Sequence, residues 1–336
     1  MKILYAIQGT GNGHLTRAKE IIPILKEKGD VDILISGHEC DIQLEYPILY
    51  NLHGLSFTFG KKGGIDFWQS FKKLRLLRFF KEIKQLPIKN YDLVINDFEP
   101  VSAWAAKLNN VNCISLSHQN AVLDEASPKK GKFNIEKLIL KYYAPAKFKF
   151  GFHFISYSSS IFTPIIRKKI RFSNVTNKGH YSVYLPSYDH DKIAEILSEI
   201  PLVKWHIFSK KATQLIFKKN SIIYPINEID FIKSITTCEG ILCGAGFETP
   251  SEALFLRKKL MVIPMKNQYE QQCNAAALEK MGVPVIKSLE KKRLKKIAKW
   301  IHSDASYEVE YPDITEDIIE SILLPYANET LFTTIQ

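Results

Sequence analysis

The chain has 336 residues, which is enough for two domains of ordinary size. A composition of 46% hydrophobic and 24% charged residues is typical of a soluble globular protein, and no run reaches the ~18 apolar residues that a membrane helix requires. The net charge of +11 indicates an anionic partner, such as a nucleotide or an acidic membrane surface. Because no nucleic-acid-binding module is recognisable, we expect no nucleic-acid partner.

The cysteines and the first residues predict where the protein acts. Residues 1–8 are too short for a signal segment and continue directly into a glycine-rich loop. The five cysteines are odd in number and scattered, which favours reduced, buried thiols. We therefore expect a cytoplasmic protein, with peripheral contact on the inner face of the membrane as an open alternative. The cysteines are Cys40, Cys113, Cys238, Cys243 and Cys273.

The chain begins with a strand, a glycine loop and a helix. Residues 2–8 form a continuous apolar run, residues 9–13 form the turn, and an apolar stripe from Leu15 to Leu25 predicts the helix. Gly29 ends this helix, and residues 31–35 form a second strand. Such a βαβ start predicts a parallel sheet, and parallel sheets bind ligands beyond the carboxyl ends of their strands.

The glycine loop does not fit a nicotinamide-dinucleotide site. His14 stands where that fingerprint has a small residue, the third glycine is missing, and no acidic residue ends the second strand. A loop of this kind can also be no more than a tight entry into a helix, and that alternative stays open.

Residues 61–86 mix aromatic and basic side chains without a clean amphipathic face. One interpretation is a helix buried on two sides whose lysines reach water. The other is a basic, aromatic surface, concentrated in residues 67–84, that contacts an anionic bilayer. Residues 141–150 repeat the same chemistry.

Polar residues follow two further strands. Asp97 and Glu99 come after the strand at residues 91–96, and His118 and Gln119 come after the strand at residues 111–116. From the topology we expect these side chains and His14 to converge on one edge of the sheet. A role for Asp97 as a simple helix cap remains an alternative.

The second half repeats the α/β alternation. Residues 152–157 are predicted as the last strand of the first sheet, and residues 163–178 as a basic linker. Strands are then predicted at residues 181–185, 203–208, 222–224, 241–243 and 261–263, with helices from Asp189 and near residues 272–280. Residues 314–324 are predicted to form a terminal helix.

Residues 241–254 read as a strand, a glycine turn and a helix. Gly244 and Gly246 allow a sharp turn close to a ligand. Thr249 suits the N-cap, Pro250 the first helical position, and Glu252 the third position of a capping box. A helix that starts in this way points free N–H groups and its positive dipole end outward, which predicts a phosphate site.

These segments carry a family resemblance. The run GAGFETPSEAL, followed by MVIPMKNQYEQQCNAAALEKMGV, resembles the C-terminal half of two-domain, B-type nucleotide-sugar glycosyltransferases. The similarity is to the family 28 group, which includes the lipid II-forming N-acetylglucosaminyltransferase, and to the related family 1 enzymes. GTGNGHLTRA near the N-terminus is similar to the first glycine loop and histidine of that family.

The resemblance implies an α/β fold with two Rossmann-like domains facing across a cleft, the GT-B architecture. It implies an acceptor-side domain at residues 1–165, a donor domain at residues 179–312, and a segment at 313–336 that packs back toward the first domain. The nucleotide sugar, with UDP expected, is a substrate, so no cofactor is expected. The implied nucleotide-sugar-binding residues are Gly11, Asn12, Gly13, Ser187, Gly244, Ala245, Gly246, Phe247, Glu248, Thr249, Glu252, Glu270, Gln271 and Asn274.

The chemistry of the side chains predicts roles in the reaction, because an imidazole titrates near neutral pH and a neighbouring carboxylate can fix its tautomer. His14 is the expected general base on the acceptor hydroxyl, Asp97 its orienting carboxylate and Glu99 the second choice. His118 is an alternative on the acceptor side, together with Gln119. The alternative for His14 is contact with phosphate or a helix cap. Glu252 matches the residue that holds the ribose, although a capping box explains the same spacing.

Glu270 and Gln271 match the pair of residues that family members place on the sugar hydroxyls. The alternative is that they form only an exposed helix start. We expect no metal site, because Asp189 and Asp191 suit a helix start better than a metal-binding triplet, and no Cys/His spacing suits zinc. The expected activity is metal-independent, inverting transfer of a sugar to a hydroxyl, with lipid-linked acceptors among the candidates. A sugar-nucleotide 2-epimerase and a non-catalytic nucleotide-sugar or anionic-lipid binding protein remain alternatives.

Overall fold

A computed structural model describes residues 1–37, 44–55, 76–130, 135–304 and 306–333. Two mainly parallel sheets, of seven and six strands, carry helices on their faces and meet along a cleft. The predicted α/β class with two Rossmann-like units is therefore confirmed.

The N-terminal sheet has the strand order β3-β2-β1-β4-β5-β6-β7 with parallel pairing throughout. The order reverses between β1 and β4, where the loops that follow the strands diverge and open a crevice. The strands are β1 (Lys2–Gln8), β2 (Asp30–Ser36), β3 (Tyr50–Leu52), β4 (Leu93–Asp97), β5 (Cys113–Leu116), β6 (Phe148–Phe152) and β7 (Ile161–Phe162).

Five helices accompany this sheet in the described residues. α1 starts at Asn12, inside the turn predicted at residues 9–13, and it ends before Gly29 as predicted. It packs its apolar stripe on β1 and β2. The helices are α1 (Asn12–Lys28), α2 (Leu76–Gln85), α3 (Pro100–Asn109), α4 (His118–Leu123) and α5 (Ile135–Tyr143).

The prediction of the last strand was wrong. β6 ends at Phe152 instead of starting there, and β7 is the edge strand of the sheet. The apolar run was misleading because Phe154 is buried by tertiary packing in the core that joins the two halves and not by strand pairing.

The C-terminal sheet has the order β10-β11-β9-β8-β12-β13, and β10 is its antiparallel edge. The sequence patterns did not predict β10, which is short and half exposed. The strands are β8 (His180–Tyr184), β9 (Lys204–Ser209), β10 (Ile216–Lys218), β11 (Ser221–Pro225), β12 (Gly240–Gly244) and β13 (Lys259–Ile263).

Seven further helices complete the described chain. They are α6 (Lys168–Arg171), α7 (His190–Leu197), α8 (Glu228–Thr237), α9 (Glu248–Phe255), α10 (Tyr269–Lys280), α11 (Leu294–Ile301) and α12 (Thr315–Thr333). Short 3-10 helices lie at Ile88–Asn90 and Lys291–Arg293. α12 packs on α1, where Lys28 Nζ is 3.5 Å from a Glu316 carboxylate oxygen.

The segment predicted as a linker is packed. Ile165, Ile166 and Ile170 are buried in one apolar cluster with Phe154 and with residues of both sheets. The connection between the halves is therefore a firm apolar joint.

The basic, aromatic stretch is only partly within the described residues. Residues 67–75 lie outside them. On α2, Phe79 is buried, while Leu77 and Phe80 are 89% and 54% exposed. On α5, Tyr142 is exposed and Tyr143 is buried.

Close packing at Gly151 positions α4, which carries two predicted site residues. A Cβ at Gly151 would lie 2.6 Å from the Ala121 amide nitrogen, so the backbone would have to move. We predict that Gly151→Ala destabilises the protein by about 1–3 kcal/mol in urea unfolding. Gly246→Ala is the matched control, because a Cβ there meets nothing within 4 Å. Equal stability of the two variants would contradict this prediction.

Candidate active site

A cavity of about 980 Å³ lies between the two halves and draws its walls from both. Most of the predicted site residues line it, whereas Asp97, Glu99, Ala245 and Asn274 are fully buried and are not among its lining residues. The predicted residues on its wall are Gly11, Asn12, Gly13, His14, His118, Gln119, Ser187, Gly244, Gly246, Phe247, Glu248, Thr249, Glu252, Glu270 and Gln271.

His14 and Asp97 meet at the crevice between β1 and β4. His14 lies in the first turn of α1 and Asp97 ends β4, and His14 Nδ1 is 2.8 Å from Asp97 Oδ1. Because a carboxylate accepts, Nδ1 carries the proton and donates it, which leaves Nε2 with its lone pair. Adjacent parallel strands thus place an oriented imidazole on the cavity wall.

Arg17 completes this pair, and sequence reasoning missed it. Its Nε and Nη2 donate to the Asp97 carboxylate at 2.7–3.1 Å. Burial alone would raise the pKa of Asp97, but the attraction of Arg17 and His14 outweighs it and lowers the pKa. Asp97 therefore stays ionised. The available signal was the spacing, since Arg17 follows His14 by three residues on one helix face.

Glu99 does not contact His14 and instead caps a helix. Its carboxylate accepts from the amide groups of Val101 and Ser102 at 2.7 and 2.6 Å, and so it caps α3. Of the two carboxylates considered as partners of His14, Asp97 makes the contact. The cap role weighed for Asp97 belongs to Glu99 instead.

His118 connects the two halves. Its Nδ1 is 2.8 Å from the Phe152 carbonyl oxygen, and its Nε2 is 2.9 Å from Asn274 Oδ1 on α10. The imidazole also stacks on the Phe247 ring at 4.0 Å. Because both ring nitrogens are occupied by these contacts, neither is free to take a proton from a substrate hydroxyl.

Gln119 and Glu270 make another bridge across the cleft. Gln119 Nε2 donates to Glu270 Oε2 at 3.0 Å and lies 3.5 Å from His14 Nε2. Gln271 accepts from the Met265 amide at 2.8 Å and so braces the turn after β13. Glu270 is thus the member of this pair that faces the His14 side of the cavity.

The start of α9 differs from the prediction. The helix begins at Glu248, with Phe247 at the cap position and no side-chain cap bond, so Thr249 is already helical. The capping box is absent, because Glu252 accepts from Arg167 Nε and Nη2 at 2.6 and 2.8 Å. A buried cation from the linker outcompetes a local backbone contact for this carboxylate.

Glu248 faces the glycine loop of the other half. Arg17 Nη1 donates to its Oε1 at 2.5 Å, and its Cγ is 3.2 Å from where a Cβ of Gly13 would lie. Burial raises the pKa of Glu248 to about 7, although Arg17 opposes the rise. Gly11, with φ of 99°, adopts a backbone conformation that favours glycine.

Neither a metal site nor a membrane-spanning helix was expected from the sequence. Asp189 caps α7 by accepting from the Asp191 amide at 3.0 Å. Among the residues that the structure describes, no group of three or more His, Cys, Asp or Glu side chains is placed to hold a metal ion. None of the described helices is long and apolar enough to cross a bilayer.

The sequence itself shows the family to which the chain belongs. Residues 1–302 match glycosyl transferase family 1, and the chain belongs to that family. It is a glycosyltransferase. No curated protein sequence matches it.

Solved structures share the fold at low identity. The glycosyltransferase SnogD from Streptomyces nogalater has 13% identity and a TM-score of 0.53 over 96% of this chain and 99% of that chain. MnaA from S. aureus, solved with UDP, has 13% identity and a TM-score of 0.64 over 98% and 97%. A UDP-N-acetylglucosamine 2-epimerase has 14% identity and a TM-score of 0.57 over 98% and 97%.

The raised pKa of Glu248 predicts a pH-dependent stability. Its pKa lies above the ordinary value of 4.5 in the folded protein, so folding is favoured while the group is protonated. That contribution is full below about pH 4.5 and is lost as the pH rises through about 7. The Glu248→Gln variant cannot ionise there, so its stability relative to wild type should grow by about 1–3 kcal/mol between pH 5 and pH 8. Urea unfolding across this range measures it, and a constant difference would contradict it.

Proposed function

We propose that the protein transfers a sugar from a UDP-linked donor to a hydroxyl of an acceptor, without a metal ion and with inversion at the anomeric carbon. The observation that carries the proposal is the oriented His14–Asp97 pair, whose histidine lines the same cavity as the glycine turn and the first turn of α9.

The donor is placed mainly against the C-terminal half. Backbone N–H groups from residues 244–248 and the positive end of α9 suit the diphosphate, and the loop at Gly11 and Gly13 covers it from the other side. Ser187 lies on the same wall. Glu252 is assigned to the ribose hydroxyls and Glu270, with Gln271, to the sugar hydroxyls.

His14 acts as general base on the acceptor. Its Nε2 takes the proton of the attacking hydroxyl as the new C–O bond forms at the anomeric carbon and the bond to the diphosphate breaks. Asp97 orients the imidazole and stabilises its cationic form. One displacement of this kind inverts the anomeric centre. The α9 N-terminus, together with Arg17, offsets the negative charge that develops on the leaving diphosphate, and so no metal is needed for that purpose.

The acceptor is placed against the N-terminal half. Phe98 and Tyr143, stacked at 4.7 Å, and Ile139 form an apolar wall beside His14. This wall suits a lipid-linked or other partly apolar acceptor. The opposite face of α5 exposes Tyr142 and a lysine, which suits peripheral contact with an anionic bilayer at the cytoplasmic face. Absence of binding to anionic vesicles in a sedimentation assay would remove the membrane contact from the proposal.

The direct test is a panel of UDP-sugars. We expect thermal stabilisation by UDP and by one or more UDP-sugars, and UDP release that requires an acceptor. A product formed without acceptor would identify a 2-epimerase instead. Stabilisation with no turnover under any condition would indicate a binding protein, and no stabilisation by any nucleotide diphosphate would overturn the proposal.

Removing the base should affect turnover far more than donor binding. We predict that His14→Ala lowers kcat by about 10²–10⁴-fold while the Kd for UDP changes little. Asp97→Asn should also lower kcat, because an amide can present a hydrogen to Nδ1 and favour the wrong tautomer. His302→Ala, which replaces an exposed histidine away from the cavity, is the matched control. Full activity of His14→Ala would withdraw the base assignment.

A substitution at Glu252 distinguishes a role in donor binding from a role in holding the structure. We predict that Glu252→Gln weakens UDP binding by about tenfold, since a charge-assisted hydrogen bond is worth about 1.5–3 kcal/mol. Calorimetric titration measures the Kd, and thermal unfolding without ligand measures the loss of the Arg167 contact. A lower Tm with an unchanged Kd would show that Glu252 serves only to hold the linker.

A further inference from the structure

Arg17 extends one arm of its guanidinium across the cleft. Nε and Nη2 are occupied by Asp97 in the N-terminal half, whereas Nη1 donates to Glu248, the first residue of α9 in the C-terminal half. Arg17 is 3% exposed, so this contact has little access to water. Arg17, which lines the cavity, therefore points one of its donors at the place proposed for the donor diphosphate.

Above about pH 7, where its carboxyl group is ionised, Glu248 fills that place with its own negative charge. Its side chain lies directly against Gly13, in the gap between the glycine loop and the α9 start, and lines the cavity. The carboxylate thus touches the two elements proposed to bind phosphate, the loop and the guanidinium. It has the charge and hydrogen-bonding capacity of a phosphate oxygen pair.

A diphosphate cannot enter beside this carboxylate without cost. Two anions in a site with little water repel each other strongly, and like charges placed together cost several kcal/mol. The side chain of Glu248 is 16% exposed, so it has a route toward the open cavity. Glu252, already held by Arg167, adds a further negative charge close by.

We propose that Glu248 occupies Arg17 in the donor-free protein and yields this guanidinium to the diphosphate when the donor binds. Glu248 is then an internal competitor for the donor, and Arg17 is a positioning residue with two successive partners. This inference rests on the proposed function, because it takes the diphosphate site from it.

The exchange predicts opposite effects of two substitutions on binding. At pH 8, where Glu248 is ionised in the wild type, Glu248→Gln keeps the shape but removes the competing charge, so it should bind UDP about tenfold tighter than wild type. Arg17→Lys should bind UDP more weakly, because a single ammonium group cannot serve Asp97 and phosphate together. In the double variant the gain from Glu248→Gln should be smaller, because competition for the Arg17 guanidinium is gone and only the direct repulsion between the two anions is relieved.

Isothermal titration with UDP, and separately with inorganic pyrophosphate, measures these Kd values. Glu228→Gln is the matched control, because Glu228 also lines the cavity but pairs with Lys169 and Arg167. It should change the Kd much less than Glu248→Gln. Thermal unfolding without ligand shows which variants are folded. If an Arg17 variant fails to fold, the Kd of Glu248→Gln compared with wild type still tests the proposal.

The outcomes separate the two proposals. Tighter binding by Glu248→Gln, with a smaller gain in the double variant, supports the exchange. A gain of the same size in the double variant would indicate charge repulsion alone and would overturn the exchange. Equal or weaker UDP binding by Glu248→Gln overturns the exchange, while the proposed function stands because UDP still binds. If neither wild type nor Glu248→Gln binds UDP or pyrophosphate, the proposed function fails and the exchange fails with it.

Discussion

The buried carboxylate of Asp97 is the constraint on which the site depends. It has no exposure to water, and an ionised carboxylate in such a position must be paired and hydrogen-bonded. Arg17 and His14, one turn apart on α1, supply these partners. The requirement fixes α1 over the crevice between β1 and β4, and it holds the imidazole with the lone pair of Nε2 turned away from Asp97. The same requirement makes Arg17 rigid enough to reach across the cleft.

The two halves are joined in two different ways. Near the linker they share an apolar cluster that includes Phe154, Phe247 and the isoleucines of residues 165–170. Around the cavity they meet through polar contacts, such as Gln119 with Glu270 and His118 with Asn274. Apolar packing has no substitute partner in water, whereas polar contacts can be exchanged for contacts with a ligand. The joint therefore lies in the apolar cluster, and the cavity rim is the part suited to rearrangement.

The fold by itself does not choose among activities. Structures of a glycosyltransferase and of a 2-epimerase match this chain over nearly their whole length at similarly low identity. Membership of glycosyl transferase family 1 rests on the sequence match over residues 1–302. Within that family, the chemistry must be read from side chains at the cleft, and here these are an oriented histidine on one wall and a helix start on the other.

Apolar runs and glycine turns are local signals, and they were enough to predict the α/β class and most strand positions. They also put His14, Asp97 and the 244–249 turn at strand ends, which brings them to one cleft. Which carboxylate serves which partner depends instead on the three-dimensional arrangement. Glu99 caps α3, Glu252 binds Arg167, and Glu248 meets Arg17 from 231 residues away. The physical reason is that the energy of a buried charge depends on its neighbours in space, and sequence spacing does not record them.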